Sequence, residues 1–191
     1  MEIRAAVPEQ ARTIARLIME AMNYECCQYF AGPRHTLQDF EDAMTRLVER
    51  TDSQYSYCNT LVAMAPGGEV AGALVCYDGA RLYELREAFL QEARESFQNT
   101  DFVLDDETQA GELYLDSLCV AAPFRHQGIA TQLLRAGMAR AAELGIPQVG
   151  LLVDAGNPSA ERLYTSLGFR FANKAMWGSH AMKHLTLTIN N

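Results

Sequence analysis

The sequence predicts an α/β (α+β) fold in one domain, residues 1–191, with a mixed sheet of six to seven strands flanked by helices. Three observations support this fold class. A strand, a glycine-containing loop, a helix and a second strand follow one another between residues 112 and 153, which is the order of a parallel βαβ unit. Two segments with the composition of β-strands flank the turn sequence "PGGE". Two segments before residue 50 have the spacing of amphipathic helices, and a composition of 49% hydrophobic and 21% charged residues is that of a folded protein.

Local signals predict the N-terminal elements. Residues 2–7, "EIRAAV", form a short strand, and Pro8 then stands at a favourable first-turn position of a helix. Thr36, followed three residues later by Asp39, starts a second helix with a loose capping box. The residues expected on the buried faces recur every three or four positions: Ile14, Leu17, Ile18, Ala21 and Met22 in the first helix, and Leu37, Phe40, Met44, Leu47 and Val48 in the second.

The middle of the chain is predicted to hold a hairpin and an insertion. Tyr57–Tyr77 forms the hairpin around "PGGE", because proline and two glycines in succession favour a turn. We interpret residues 78–111 as an insertion between the third and fourth strands. It contains one amphipathic helix, whose apolar residues are Leu82, Leu85, Phe89, Ala93 and Phe97.

The C-terminal half supplies the remaining elements. "ELYLDSLCV", residues 112–120, is predicted to be a strand of alternating faces, with Glu112, Tyr114, Asp116, Leu118 and Val120 on one side. After "RHQGIA" comes a helix with an apolar stripe, closed by Gly145. "QVGLLV" is a continuous apolar strand, as expected when both faces are covered. A last helix runs from Pro158 to about Leu167, and "GFRFA" and "AMKHLTLTI" supply two more strands.

Composition and charge exclude several classes of protein. The formal net charge of -8 repels polyanions, and no run of Lys or Arg counters it, so we expect no nucleic-acid partner. No apolar run approaches the roughly 18 to 20 residues that span a bilayer, and residues 1–10 lack the regions of a signal peptide. We therefore expect no membrane association and a cytoplasmic location. The five cysteines include no C-x-x-C pair, so neither a disulfide framework nor a metal site is expected.

The loop "RHQGIA", residues 125–130, separates a strand from a helix. The first turn of a helix leaves N–H groups without partners and carries a partial positive charge, so such a loop is a site for anions, most often phosphates. Gly128 and Ala130 would let phosphate oxygens approach the backbone. The loop is neither a Rossmann fingerprint nor a Walker A sequence. Taken alone, an ordinary turn between a strand and a helix explains it equally well.

A second motif favours the anion site. "NPSAERLYTSLGF", residues 157–169, taken together with "RHQGIA", resembles the GNAT superfamily of N-acetyltransferases. In that superfamily the acetyl-CoA loop has the form [QR]-x-x-G-x-[GA], and a later motif reads N-x-x-A-x-x-x-Y-x-x-x-G-F. The pattern L-x-V-x-x-P from Leu118 to Pro123 also matches. The resemblance covers Glu112 to Phe171 closely, and it implies a sheet splayed between strands 4 and 5, with acetyl-CoA as the cosubstrate.

The resemblance implies that backbone groups hold most of the cofactor. The main chain of Leu118, Cys119 and Val120 would pair with the pantetheine arm as if with another strand. The pyrophosphate would be held by the backbone amides of six consecutive residues: His126, Gln127, Gly128, Ile129, Ala130 and Thr131.

Three side chains are assigned to the same site by the resemblance. Arg125 would add positive charge, Asn157 would contact the cofactor beside the splay, and Tyr164 would point its hydroxyl at the thioester sulfur. Asn157, Tyr164 and His126 each have a structural alternative where the residues are read alone. Asn157, directly before Pro158, is also a typical helix N-cap. Tyr164 is compatible with a core aromatic residue and His126 with a solvated loop residue.

Acetyl transfer to an amine requires a base, because an alkylammonium has a pKa near ~10.4. The family uses direct attack in a ternary complex, with a carboxylate as base. Glu112 stands where some bacterial N-terminal amine acetyltransferases of the family carry that base, and Asp116 is the second candidate. Tyr114 occupies the position of the glutamate in the histone-modifying branch, which argues against that branch. Tyr164 would act as general acid. A solvated carboxylate at a strand end explains Glu112 equally well.

These inferences predict an enzyme that moves the acetyl group of acetyl-CoA to a primary amine of a small molecule or peptide. The alternative is a non-catalytic regulator that binds acetyl-CoA. Cys119 is disfavoured as an acyl-carrying nucleophile because it should face away from Glu112. Acceptor choice is expected to depend on Tyr24–Arg50, on the insertion and on the loop from Trp177 to His180. The acidic run "DDET", residues 105–108, either attracts a cationic acceptor or is merely solvated. A homodimer remains open.

Overall fold

The computed structural model describes residues 1–99, 104–178 and 180–189. The strands found in these residues are Glu2–Ala5 (β1), Thr60–Met64 (β2), Val70–Asp78 (β3), Glu112–Val120 (β4), Gln148–Asp154 (β5), Arg170–Trp177 (β6) and His180–Thr188 (β7). They form an open, mixed sheet in the order β1-β2-β3-β4-β5-β7-β6. The predicted mixed sheet is confirmed, with seven strands in the described part of the chain.

Helices flank this sheet. In the described residues they are Ala11–Met22 (α1), Tyr24–Ala31 (α2), Leu37–Glu49 (α3), Leu82–Phe97 (α4), Ile129–Glu143 (α5) and Pro158–Ser166 (α6). The amphipathic segments are confirmed as helices, although Ala21 is exposed rather than buried in α1. No sequence pattern predicted α2. Asn23, with φ of 67°, ends α1, and its side chain accepts a hydrogen bond from the Cys26 N–H at 2.9 Å, which caps the new helix.

The sheet opens between β4 and β5. The parallel pairing of these strands covers Glu112 with Gln148, Leu113 with Val149 and Tyr114 with Gly150, and it ends there. On its other side β4 stays paired with β3 as far as Val120, which lies opposite Gly72. The end of β4 therefore has a free edge that faces the gap, and the splay implied by the resemblance is confirmed.

A β-bulge corrects the predicted faces of β4. Opposite β3, the register moves from Leu115 to Leu118 while β3 advances by two residues, so Asp116 and Ser117 together oppose one residue of β3. The extra residue reverses the alternation. Leu118 and Val120 pack in the same core as Leu113 and Leu115, on the α5 side of the sheet. Cys119 packs instead on the α1 side with Tyr114, so the expectation that it faces away from the Glu112 face is wrong.

The insertion is part of the core on the α1 side. Leu82, Leu85 and Phe89 of α4 are buried in the cluster that also contains the inner faces of α1 and α3. Phe97, at the end of α4, stacks on Phe40 of α3 with ring centroids 5.9 Å apart. The insertion therefore packs over the same side of the sheet on which the cleft opens, and its last residues reach the cleft wall.

Candidate active site

A cleft of about 640 Å³ lies where β4 and β5 diverge. The end of β4 and the end of β5 form its floor, and the start of α6 forms one wall. The three segments expected to choose the acceptor also line it: the α2 region, the end of the insertion, and the tip of the β6–β7 hairpin. Gly178 at that tip donates its N–H to the Asp105 carboxylate at 3.1 Å, so hairpin and insertion meet across the cleft.

The loop before α5 has the geometry of an anion site. Gly128 caps the helix with φ of 76°, a left-handed conformation that favours glycine, and a Cβ there would meet no neighbour within 4 Å. The first hydrogen bond inside the helix runs from the Gln132 N–H to the Gly128 carbonyl at 3.1 Å. The amides of Ile129, Ala130 and Thr131 therefore have no acceptor within α5, all of which is described. His126 also has a positive φ, 61°, and both it and Gln127 are exposed.

Arg125 is already engaged in this structure. Its Nε donates to the Val120 carbonyl at 3.0 Å, and its guanidinium forms an ion pair with Glu20 of α1. The side chain is about half exposed, so water screens the pair. Its charge is thus partly neutralised, and it ties the loop to α1 and to the end of β4.

The end of β4 presents main chain to the cleft. Leu118, Cys119 and Val120 pair with β3 through one edge, at Leu74, Ala73 and Gly72 respectively, and no strand of the described residues pairs with the other edge. Leu118 lines the cleft, and all three residues are partly buried. This free edge is what a strand-like ligand requires.

Asn157 and Tyr164 both line the cleft from α6. The Asn157 side chain accepts a hydrogen bond from the Ala160 N–H at 3.0 Å, so the N-cap interpretation is confirmed and coexists with a place at the cleft. Tyr164 packs edge-on against Phe169, with ring centroids 6.1 Å apart. Burial raises the pKa of Tyr164 to about 12, so its hydroxyl keeps its proton at neutral pH and is available as a donor.

Glu112 does not lie on the cleft wall. Its carboxylate is 1% exposed, accepts a hydrogen bond from the Thr108 hydroxyl at 2.7 Å, and lies 2.9 Å from Nε2 of His184. It fits against the bare backbone of Gly150, where a Cβ would come within 2.2 Å of it. These contacts join the end of the insertion to β4, β5 and β7. The interpretation of Glu112 as a solvated carboxylate is wrong, because the side chain is buried.

Asp116, by contrast, lines the cleft and is only partly buried. Its carboxylate accepts hydrogen bonds from the Ser117 hydroxyl at 3.1 Å and from Nε2 of Gln54 at 3.3 Å. Burial, and then the nearby charge of Glu107, raise the pKa of Asp116 to about 7. A carboxylate with this pKa can hold or release a proton near neutral pH, which suits a general base.

Glu107 was predicted only as part of the acidic run that either attracts a cationic acceptor or is merely solvated. It is 7% exposed and lines the cleft, so the interpretation as a solvated carboxylate is wrong for this residue. Its carboxylate accepts hydrogen bonds from the Tyr77 hydroxyl and from Nε1 of Trp177, each at 3.0 Å, and pairs with Arg86 at 3.3 Å. A sequence signal that could have identified Glu107 lies in α4. Arg86 falls on the apolar face of that helix, and a buried arginine needs a carboxylate partner.

The cleft is acidic. Its described lining includes five carboxylate side chains and no Lys or Arg: Glu25, Asp105, Glu107, Asp116 and Asp154. Aromatic side chains, among them Tyr29, Tyr55 and Trp177, lie between them. Carboxylates together with aromatic faces attract cations.

In the described residues, no group of three or more His, Cys, Asp or Glu side chains is arranged to hold a metal ion. No helix in the same ranges is long and apolar enough to cross a membrane.

Known proteins share parts of this sequence and all of this fold. A mycothiol acetyltransferase from Nocardiopsis dassonvillei is 37% identical over 79 residues, which are 41% of this chain but 22% of that protein. A crystal structure of an acetyltransferase is 27% identical over the whole of both chains, with a TM-score of 0.83. An N-acetyltransferase from Staphylococcus aureus Mu50 is 22% identical, with a TM-score of 0.80 over 98% of this chain and all of that one, and shows the fold.

The sequence profile of the family described as "Acetyltransferase (GNAT) family" matches residues 18–169. The match begins within α1 and ends at Phe169, whose ring packs on Tyr164. The chain therefore belongs to the GNAT family of acetyltransferases.

Proposed function

We propose that the protein transfers the acetyl group of acetyl-CoA to a primary amine of a cationic acceptor, by direct attack in a ternary complex. The observation that carries the proposal is the splay of β4 and β5. It opens one cleft that is bordered by the free edge of β4, by Tyr164 and by Asp116. Acetyl-CoA is the acetyl donor of the GNAT family.

In the proposed complex the cofactor is held mainly by backbone groups. The N–H groups from His126 to Thr131 donate to the pyrophosphate, and the partial positive charge at the start of α5 stabilises it. The pantetheine arm pairs with the free edge of Leu118–Val120. Its thioester then lies in the middle of the cleft, beside Tyr164. Asn157 contacts the arm while its Oδ1 continues to cap α6.

Asp116 acts as the base in this proposal. An acceptor ammonium has a pKa near ~10.4, so it must lose a proton before its nitrogen can attack. Asp116 accepts that proton, directly or through one water. The nitrogen lone pair then attacks the thioester carbon and a C–N bond forms. A backbone N–H near Val120 stabilises the resulting oxyanion.

Collapse of the tetrahedral intermediate breaks the C–S bond. The hydroxyl of Tyr164 donates to the departing sulfur, and the second proton of the attacking nitrogen ends on the thiol through it. The products are the amide and coenzyme A, with the first proton left on Asp116. The high pKa of Tyr164 fits this role, because the hydroxyl enters the reaction protonated.

The geometry supports Asp116 over Glu112 as the base. Glu112 is buried against Gly150 and His184 and is absent from the described cleft lining. Asp116 lies on that lining and has a pKa near neutrality. Glu112 is therefore proposed as a structural anchor of the sheet and of the end of the insertion.

The acidic lining supports a positively charged acceptor. The carboxylates of Asp105 and Glu25 lie with Asp116 along one cleft, so a cation is favoured along its length. The similarity to mycothiol acetyltransferase is compatible with a small amine acceptor. That similarity covers 22% of the mycothiol acetyltransferase.

Turnover of acetyl-CoA with a panel of mono-, di- and polyamines tests the proposal. We expect turnover with at least one amine, and a loss of about 10²-fold in kcat for Tyr164→Phe, which removes the proton donor and keeps the ring. Calorimetry with coenzyme A is the control, and the affinity should be similar in both forms. Cofactor binding without turnover for any amine would contradict the proposal and support the regulator instead.

A further inference from the structure

The insertion brings a second carboxylate next to Asp116. One amide group joins them: Nε2 of Gln54 is 3.2 Å from Oε1 of Glu107 and 3.3 Å from Oδ2 of Asp116. The amide nitrogen carries two hydrogens, so it can serve both oxygens at once. Two acids from distant parts of the chain, β4 and the end of the insertion, are therefore held side by side at the cleft wall.

The contacts of Glu107 show which of the two carries a fixed charge. Its carboxylate faces four donor groups: the Tyr77 hydroxyl, the Trp177 indole N–H, the Gln54 amide and the Arg86 guanidinium. Indole and guanidinium groups donate and never accept. A protonated Glu107 would lose an acceptor site and would need a partner for its own O–H. Glu107 is therefore the ionised member, and Asp116, with weaker contacts, is the one that takes up a proton.

We propose that Glu107 is a positioning residue that sets the proton affinity of Asp116. Its fixed negative charge makes Asp116 a stronger base than an isolated aspartate at a cleft wall, and Gln54 keeps the two carboxylates at a constant separation. The inference rests on the proposed function, in which Asp116 accepts the proton of the amine. It also gives the insertion a role in the chemistry of the site, since Glu107 and its partner Arg86 both belong to it.

The other groups around the pair do not cancel this effect. Arg86 is the cation that faces it, and its guanidinium is shared with Asp106 at 3.1 Å and with the Asp105 carbonyl at 2.8 Å. Burial raises the pKa of Tyr55, Tyr77 and Tyr114 well above the usual range, and that of Cys26 to about 11, so all four are neutral. The remaining titratable groups of the described cleft lining are Glu25, Tyr29, Asp105, Asp154, Tyr164 and His180.

The direction of the effect follows from the signs of these charges. Two carboxylates in one site resist double ionisation, so the more weakly held one keeps its proton to higher pH. This agrees with the pKa of about 7 for Asp116, for which Glu107 is the second cause after burial. Removing the charge of Glu107 also leaves Arg86 less compensated, and this further favours the ionised form of Asp116.

The test is a titration of Asp116 by carboxyl-carbon NMR in the full chain without acceptor, in the native protein and in Glu107→Gln. We expect the midpoint to move from near pH 7 to lower pH by about one unit. Glu84→Gln removes the same charge from an exposed position on α4 and should leave the midpoint in place. Tyr77→Phe removes one contact of Glu107 without a change of charge, and it should also leave the midpoint in place. Comparison of Glu107→Gln with Tyr77→Phe separates the effect of the lost charge on the midpoint from the effect of altered packing around Glu107.

The pH profile of kcat is the second readout. Glu107→Gln should move the half-maximal point of the rising limb to lower pH, and it should lower the plateau, because a weaker base transfers protons less readily. An unchanged or raised Asp116 midpoint in a folded Glu107→Gln protein would overturn the inference. A lowered midpoint in a protein that acetylates no amine would retain the coupling and reject the proposed function, so the two failures are distinguishable.

Discussion

The two halves of the proposed site are built in different ways. The proposed cofactor half consists largely of one continuous stretch, from the end of β4 through the loop to the first turn of α5, of which Leu118 lines the cleft, with Tyr164 and Asn157 added from α6. The acceptor half is assembled from residues that are far apart in the chain: Gln54, Glu107, Asp116 and Trp177. A contiguous motif needs only local geometry, whereas the acceptor half exists only once the insertion has packed against the sheet.

This difference explains which site residues can be identified from the sequence and which require the structure. Glycine at a helix start and an asparagine cap leave local patterns, and we propose that they contact a cofactor common to the whole family. The acceptor half carries carboxylates whose properties depend on partners from other elements. Glu107, for example, is contacted by Arg86 of α4, Tyr77 of β3 and Trp177 of β6.

The largest expected effect concerns the acceptor half. Asp116→Asn should lower kcat by about 10² to 10⁴-fold, because the amide cannot accept the ammonium proton. Coenzyme A affinity, which the other half provides, should be unchanged in calorimetry. In the native protein, kcat should rise with pH and reach half of its maximum near pH 7, where Asp116 loses its proton.

Measurement of thermal stability distinguishes a loss of kcat caused by removal of the base from a loss caused by unfolding of the variant. The folded chain binds the Asp116 proton more tightly than the unfolded chain, so ionisation destabilises the native protein as pH rises from about 4 to about 7. Asp116→Asn has no such term and should melt at the same or a higher temperature at pH 8. A variant that melts lower and still turns over amine would leave the role of base without support.

Sequence patterns predicted most elements of the fold, and three of the predicted cofactor-binding residues, Leu118, Asn157 and Tyr164, line the cleft. They missed α2, because eight residues are too short to show a clear period. They also missed the bulge at Asp116, because an extra residue in a strand leaves no periodic signal, and this reversed the predicted face of Cys119. The ranking of Glu112 above Asp116 came from the position of the base in some members of the family that the sequence resembles. Which carboxylate meets the cleft depends on packing around Gly150 and on that bulge.

The second-largest expected effect tests whether Glu112 has a structural role. Glu112→Gln should lower the free energy of unfolding by about 1 to 3 kcal/mol, since a buried carboxylate that serves Thr108 and His184 is lost. Urea unfolding measures this change. Below the transition, kcat should stay within about twofold of the native value. Gly150→Ala, which puts a Cβ 2.2 Å from the same carboxylate, should also destabilise the protein. A large loss of kcat in a Glu112→Gln protein of unchanged stability would support Glu112 as the base.

A smaller effect belongs to the cofactor half. Gly128→Ala should weaken coenzyme A binding by roughly fivefold to tenfold, because an alanine in the left-handed region costs about 1 to 2 kcal/mol and favours other loop conformations. Gly145→Ala is the matched control at the other end of α5. Gly145 has φ of 69° and, like Gly128, open space around its Cβ position. It should be strained to the same extent without a change in cofactor affinity. Equal affinities in both variants would show that the loop does not hold the pyrophosphate.

The smallest effect is expected at Arg125, although its charge makes it the obvious phosphate ligand. Because Arg125 is paired with Glu20 and bonded to the Val120 carbonyl, binding an anion would require it to give up contacts that it already makes. Arg125→Ala should therefore raise the Kd of coenzyme A only about twofold to fivefold, in line with an exposed ion pair. Glu20→Gln, which frees the guanidinium, should leave the Kd equal or slightly lower. A rise above about 100-fold for Arg125→Ala would mean that the side chain, and not the helix amides, provides most of the binding in the cofactor half.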